Sequence, residues 1–255
     1  MLKTAIKAAE EGGKILEQYF ETFLEKKLKE DLSIVTKADE EAEAKIIEII
    51  KSAFPRHDII GEESGEEKQG SAYQWFIDPL DGTANFANGI PLFAVSIGVA
   101  KEGEPIVSVI LNPIIPSLFY AEKGKGAFWN NHKMVVSNED AKSGMITIGS
   151  GKSKDKPSVN ELFTRSLNYV KKVRYLGCAA LELAYLARGG TEGFVNLGTQ
   201  KWDYAAGALL VLEAGGKITD LKGDPWNLEQ NYFIASNGVI HQQFLELVGR
   251  IDVAK

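Results

Sequence analysis

The sequence predicts an α+β lobe followed by an α/β lobe. Two helical periodicities open the chain, a run of short apolar segments between turn residues follows, and strand-like and helix-like segments alternate from Ser143 onward. The first lobe is read as residues 1–136 and the second as 137–255, joined by a short connection near 136 to 142. With 255 residues, 44% hydrophobic and 25% charged, the chain has the size and composition of an ordered globular protein.

Leu2, Ile6, Ala9, Gly13, Leu16, Phe20 and Leu24 recur at spacings of four and three, which predicts a long amphipathic helix from 2 to about 27. Gly12-Gly13 weakens that helix and implies close packing against a neighbour. Ala42, Ile46, Ile49 and Ala53 carry a second helix from near Thr36 to Pro55, with Thr36-x-x-Asp39 as a capping-box-like start. A short strand at His57 to Ile60 then runs into Gly61-Glu62-Glu63-Ser64 and a polar loop to about Ser71. Tyr73 and Trp75 to Ile77 read as a strand stopping at Asp78. Beyond it, Phe93 to Ala100, Pro105 to Leu111 and Leu118 to Ala121 read as an antiparallel meander over 91 to 136, punctuated at Gly103, Pro116, Gly124 and Asn130-Asn131.

In the second lobe, strands are predicted at Met145 to Ile148, Val173 to Leu176, Phe194-Val195, Lys217 to Asp220 and Tyr232 to Ala235. Helices are predicted at Ser158 to Val170, Ala179 to Arg188, Trp202 to Glu213 and Ile240 to Ile251. There is no internal repeat and no low-complexity tract.

A net charge of −6, from 29 basic and 35 acidic residues, argues against a general nucleic-acid or anionic-membrane surface. The single cysteine excludes an intramolecular disulfide, no apolar run approaches 18 residues, and the amino terminus lacks a signal-like apolar core. A cytoplasmic protein is expected. Cys178 reads as a small buried side chain at a tight turn, and His57, His132 and His241 show no ligand spacing.

The chemistry concentrates in Trp75-Phe76-Ile77-Asp78-Pro79-Leu80-Asp81-Gly82-Thr83-Ala84-Asn85-Phe86. Pro79 forces a turn that keeps both carboxylates near the strand end, where Asp78, Asp81 and the Leu80 carbonyl can share hard cations. Gly82 permits close backbone approach. A helix starting at Thr83 would aim the N–H groups of Gly82 and Thr83 at an anion such as phosphate. The plainer alternative is a loop in which Asp81 caps a short helix. Glu62 ends a strand beside the Asp78 strand and can reach the same ions, or it can sit in a solvated turn. In Lys201-Trp202-Asp203-Tyr204-Ala205-Ala206-Gly207, Asp203 is read as opening a helix, where an N-cap role alone would explain it.

Together, Trp75 to Thr83, Trp202 to Gly207 and the upstream Gly61-Glu62-Glu63-Ser64 resemble the motifs of the inositol monophosphatase family of magnesium-dependent, lithium-sensitive sugar phosphatases. The resemblance covers nearly the whole chain. It implies a layered α-β-α-β-α sandwich and two to three Mg²⁺ ions. The first is expected on Glu62, Asp78 and the Leu80 carbonyl, the second on Asp78, Asp81 and Asp203, and a weaker third near Glu62. Asp39 and Thr83 match the residues that polarise the attacking water, so the implied catalytic residues are Glu62, Asp39 and Thr83. The implied reaction is in-line hydrolysis of a phosphomonoester with no phosphoenzyme.

For the substrate, the resemblance implies contacts from Gly82, Thr83 and the Gly177-Cys178-Ala179-Ala180 loop. Where many inositol-specific members place a glutamate, this chain has Asn196, an amide without charge. Val173 to Gly177 resembles the dual-activity relatives that also cleave fructose 1,6-bisphosphate, with Arg174 or Lys201 as candidates for a second phosphate. The family's lysine ahead of the aspartate motif is matched only loosely by Lys29. A homodimer is expected. The competing expectations are hydrolysis of 3′-phosphoadenosine 5′-phosphate and, in a different class, a regulatory binding protein, because some bacterial relatives are partners in transcription complexes.

Overall fold

The computed structural model describes residues 1–20, 26–28, 34–150 and 156–249. The chain begins with α1 (Leu2–Tyr19), an antiparallel pair of short strands β1 (Lys26–Leu28) and β2 (Ile34–Thr36), and α2 (Lys37–Ala53). Helix α1 stops well short of residue 27. Phe20 leaves the helix with extended backbone (φ −61°, ψ 138°), and its ring seats 5.8 Å from Phe86 and 5.1 Å from Phe93, so tertiary packing overrides the helical period. Leu24 and Lys29 lie outside the described residues. The Gly12-Gly13 step packs closely: a Cβ on Gly12 would lie 2.8 Å from the Ile46 side chain of α2, and one on Gly13 2.9 Å from Leu111.

The next strands are β3 (Asp58–Gly61), β4 (Gly65–Glu67) and β5 (Tyr73–Asp81), followed by the single-turn α3 (Thr83–Phe86). Then come β6 (Ala94–Lys101), β7 (Glu104–Asn112), β8 (Ser117–Glu122), β9 (Ala127–Trp129) and β10 (His132–Lys133). They form a sheet of order β10-β9-β8-β7-β6-β5-β3-β4, antiparallel except where β3 runs parallel to β5. Strand β4 occupies part of the segment expected to be loop, because Ile59 to Gly61 offer an edge that Gly65 to Glu67 pair with. The remaining elements are β11 (Met145–Ser150), α4 (Lys156–Ser166), β12 (Lys172–Arg174), α5 (Ala179–Ala187), β13 (Gly193–Leu197), α6 (Lys201–Glu213), β14 (Lys217–Asp220), β15 (Tyr232–Ser236) and α7 (His241–Val248). Their strands build a second sheet of order β12-β11-β13-β15-β14, parallel across β12-β11-β13 and antiparallel beyond.

Side-chain alternation sorts these sheets into layers. Ile59, Trp75, Ile77, Val95, Ile97 and Val109 pack with α1 and α2, while Ile60, Phe76, Ile110 and Phe119 face the other way onto α5 and α6. In the second sheet Phe194, Phe233 and Ala235 face α5 and α6, and Ile146, Ile148, Val195 and Ile234 face Leu162 of α4 and Phe244 and Leu247 of α7. The architecture is a layered mixed α/β fold, helix–sheet–helix–sheet–helix.

Helix α6 is the centre of this arrangement and is apolar on all sides, with Tyr204 to Val211 buried. Small residues let it sit tightly. A Cβ on Gly207 would fall 2.5 Å from Leu183 of α5, and a Cβ on Gly98 of β6 would fall 3.0 Å from Ala205. Two serines of the first sheet, Ser96 and Ser108, donate to the helix carbonyls of Trp202 (3.2 Å) and Ala206 (2.7 Å), and the Tyr204 hydroxyl donates to Leu228 O (2.9 Å). The amino-terminal turn of α6 is thereby fixed against the carboxy-terminal end of β5.

Candidate active site

Strand β5 does not stop at Asp78 but continues to Asp81 through an irregularity in its ladder with β6. Pro79 has no N–H to contribute there, and the Leu80 N–H turns back to Asp78 Oδ1 at 2.9 Å. This bulge places Asp78 and Asp81 on the same local concavity. Thr83 Oγ1 donates to the Leu80 carbonyl at 3.0 Å, so that carbonyl faces the threonine side of the loop. Gly82 precedes α3 with φ 93°, and a Cβ there would stand 2.8 Å from Leu92 O, which explains glycine at this position.

Asp81 does not cap α3, whose N-cap is Gly82 with no side-chain cap bond. Its Oδ2 instead accepts the Ala180 N–H at 2.6 Å, and its carboxylate also takes a hydrogen bond from the Cys178 thiol. Asp203 is not an N-cap either. Gln200 is the N-cap of α6 and Asp203 the third residue of the helix, in a reciprocal capping box whose Gln200 N–H to Asp203 Oδ2 bond is 2.7 Å. From there its carboxyl group lies close enough to that of Asp78 for its charge to raise the Asp78 carboxyl.

Glu62, immediately after β3, donates its N–H to Ile77 O at 3.1 Å, which registers its turn against β5. One carboxylate oxygen from each of Asp39, Glu62 and Glu63 falls within 4.8 Å of the others. Asp39 is fully buried near the start of α2.

The electrostatics follow from this crowding. Asp78 is 1% exposed; burial, reinforced by Glu62, Asp81, Asp203 and Asp39, pushes its carboxyl well above the ordinary range. Burial and then the charges of Asp81 and Glu62 do the same to Asp203, although the Gln200 N–H opposes them. Asp81 is raised to about 7 by desolvation, with the Ala180 N–H and Cys178 thiol pulling the other way. These groups surround a cavity of about 180 Å³ lined by Glu62, Asp78, Asp81, Gly82, Thr83 and Asp203, together with Gly177 to Ala179 from the second half of the chain. Among the described residues no lysine, arginine or histidine lines it. An all-oxygen donor set of converging carboxylates fits hard divalent cations, which take carboxylate and carbonyl ligands.

The structure does not bring every candidate to this cavity. Asn196 is fully buried outside it, with its Nδ2 donating to Asn231 O (2.8 Å) and its Oδ1 accepting from Thr199 Oγ1 (2.8 Å). Its amide serves β13 and the loop ahead of β15 rather than a substrate pocket. Arg174 points its guanidinium to the Val173 carbonyl (2.9 Å), and Lys201 pairs with Glu229 (2.6 Å); neither lines the cavity.

Other residues do line it without having been expected. Tyr175, Ser150 and Thr199 form part of the wall, and so does Glu182. Glu182 is fully buried in the first turn of α5, where its Oε1 accepts the Leu176 N–H at 2.7 Å and burial, then Asp81, raise its carboxyl well above the usual value. An acidic residue inside the apolar run Ala179 to Ala187 was the signal available for it.

A family model described as the inositol monophosphatase family matches residues 1–252. The chain belongs to the inositol monophosphatase family. Among its relatives, a fructose-1,6-bisphosphatase/inositol-1-monophosphatase of Aquifex aeolicus is 36% identical over 251 residues, covering 96% of this chain and 94% of the relative. The Nus factor SuhB of Escherichia coli is 39% identical over 247 residues, covering 93% and 89%. Among solved structures, the inositol monophosphatase of Anabaena superposes with a TM-score of 0.89 at 34% identity, covering 99% of this chain and 96% of that one. The family assignment makes this fold that of a phosphatase of small phosphorylated compounds. Among the described residues no helix is long and apolar enough to cross a membrane.

Proposed function

We propose that this chain is a Mg²⁺-dependent phosphomonoesterase that hydrolyses inositol monophosphate and also fructose 1,6-bisphosphate. The observation that carries the reading is the convergence of Glu62, Asp78, Asp81 and Asp203 on one cavity beside Gly82 and Thr83, with no basic side chain lining it among the described residues. Two to three Mg²⁺ ions on Glu62, Asp78, the Leu80 carbonyl, Asp81 and Asp203 would supply charge neutralisation for the phosphoryl group and acidify water.

The protein's own residues do the rest. Thr83, whose hydroxyl lies 3.0 Å from the Leu80 carbonyl, and Asp39, clustered with Glu62, would accept the proton of the attacking water directly or by relay. The N–H groups of Gly82 and Thr83 bind phosphoryl oxygens. Gly177 to Ala179, tied to Asp81 through the Ala180 N–H, orient the alcohol side of the ester. Residues 1–136 then act as the lobe supplying most cation ligands and 137–255 as the lobe supplying Asp203 and the substrate loop; the separate sheets on either side of 134–144 support that division.

Phosphate release with Mg²⁺ should be measured for inositol 1-phosphate, fructose 1,6-bisphosphate and 3′-phosphoadenosine 5′-phosphate. Turnover of the first, with lithium inhibition, is the expected result. Preference for the third would move the chain to bisphosphate nucleotide hydrolysis. A second reading, a regulatory binding protein, is favoured by the similarity to a Nus factor; it requires Mg²⁺-independent partner binding and no phosphate release. A homodimer in the cytoplasm is part of the proposal, and the mass in solution tests the dimer.

A further inference from the structure

Helix α2 carries a second acid one turn beyond Asp39. Glu43 is 2% exposed and lies on the same stripe as Ala42, Ile46 and Ile50, where an amphipathic helix would place an apolar residue. Among the described residues no lysine, arginine or histidine forms an ion pair with it. Both of its oxygens are instead used by backbone: Oε2 accepts the Glu63 N–H at 3.0 Å and Oε1 the Ser64 N–H at 2.6 Å. These are the two amides immediately after Glu62, whose own N–H is held by Ile77 O at 3.1 Å.

The turn bearing Glu62 is therefore pinned on both sides, by β5 through one amide and by α2 through two. The carboxylate meets these two successive N–H groups with one oxygen each, and its charge strengthens both bonds. The strand makes room for it. A Cβ on Gly61 would stand 2.7 Å from Ser64 Oγ and 2.8 Å from both Cδ and Oε1 of Glu43, so a side chain at 61 would crowd the Glu43 carboxylate and the turn it holds.

We propose that Glu43 is the positioning residue of the cation site, fixing the Glu62–Ser64 turn so that the Glu62 carboxylate stays aimed at the cavity it shares with Asp78. The assignment rests on the metal-dependent reading above. Glu43 does not line the cavity, so its effect would be on ion affinity through Glu62.

The test uses the full chain as wild type, Glu43→Gln, Gly61→Ala and the double variant. An amide at 43 keeps one acceptor and turns an NH₂ against the other N–H, while a methyl at 61 displaces the carboxylate without removing any acid. Two titrations are read: the rise of Tm with Mg²⁺ in the absence of substrate, and the Mg²⁺ dependence of phosphate release. Each single variant is expected to need about tenfold more Mg²⁺ in both. At saturating Mg²⁺, kcat should return to within about threefold of wild type and KM for the ester should not change. The double variant should be no worse than the more affected single one, because both break one contact. A folded Gly61→Ala or Glu43→Gln protein with an unchanged Mg²⁺ midpoint overturns the assignment, as does a kcat deficit that no Mg²⁺ concentration restores. If Glu43→Gln fails to fold, Gly61→Ala alone decides. A wild type whose Tm ignores Mg²⁺ and that releases no phosphate overturns the phosphatase reading itself.

Discussion

Asp81 and Ala180 meet across the two sheets: the amide at the first turn of α5 donates to Asp81 Oδ2 at 2.6 Å, joining the end of β5 to the Gly177–Ala180 loop. One bond thus sets the spacing between the acidic floor of the cavity and the rim expected to hold the alcohol. Truncating it from the acid side, Asp81→Ala, should raise KM for inositol 1-phosphate as well as lowering kcat by about 10²–10³-fold. Steady-state kinetics on the folded variant check this; a kcat loss with KM unchanged would detach the loop from substrate binding.

Asp78→Asn is isosteric and keeps an oxygen for the Leu80 N–H, but it removes one of the crowded carboxylates. Activity should be lost while the cation-free protein becomes more stable by about 1 kcal/mol, or roughly 2–4 °C in Tm. Thermal unfolding in chelator checks the sign, and a destabilised variant would mean that the site is not electrostatically strained.

Raised carboxyls also set a pH dependence. A group whose folded pKa exceeds its unfolded value contributes stability that is lost as pH rises through the folded value, and Asp81 (about 7), Asp78 and Asp203 are all shifted in that direction. Cation-free protein should therefore lose stability as pH rises from about 4 to about 7, the span of the Asp81 shift, with Asp78 and Asp203 adding losses of the same sign. Saturating Mg²⁺ should flatten that slope, since bound cations favour the ionised forms. Chemical denaturation at several pH values, with and without Mg²⁺, measures it.

His241 has the opposite sign. Buried between Ser236 Oγ (2.8 Å) and Thr219 Oγ1 (3.0 Å), it is lowered to about 4 by desolvation and then by Lys217. Its neutral form is the folded form, so its contribution is complete above about 6.5 and drains away as pH falls towards 4. His241→Gln should show a shallower acid limb than wild type in Tm against pH.

Gly207→Ala should cost about 2 kcal/mol, because its methyl would lie 2.5 Å from Leu183 Cβ between two helices that cannot part freely. Since α6 carries Asp203, the Mg²⁺ dependence of activity should deteriorate with it.

Legibility in the sequence tracked locality. The Asp78–Thr83 segment could be read directly, since a proline, a glycine and two acids within six residues constrain one another. Asp203 could be brought to the same place only through resemblance, as nothing in its own helix tells where that helix docks. The end of α1 was missed because Phe20 obeys its contacts with Phe86 and Phe93 rather than the helical period. Glu43 and Glu182 were missed because their partners are backbone amides from other segments, which leave no mark on local pattern. Each nonetheless interrupts an apolar stripe, and an acid in such a place is a signal that periodicity counts tend to discard.

The burial of α6 on every side has a consequence for how such a chain can diversify. Its first turn holds an acid of the cavity while its body is clasped by both sheets, so the proposed cation site and the architecture share one immovable part. Change in substrate preference is then confined to the few wall positions free of that burden, such as Tyr175 and Ser150, and it is there that members with new specificities should differ.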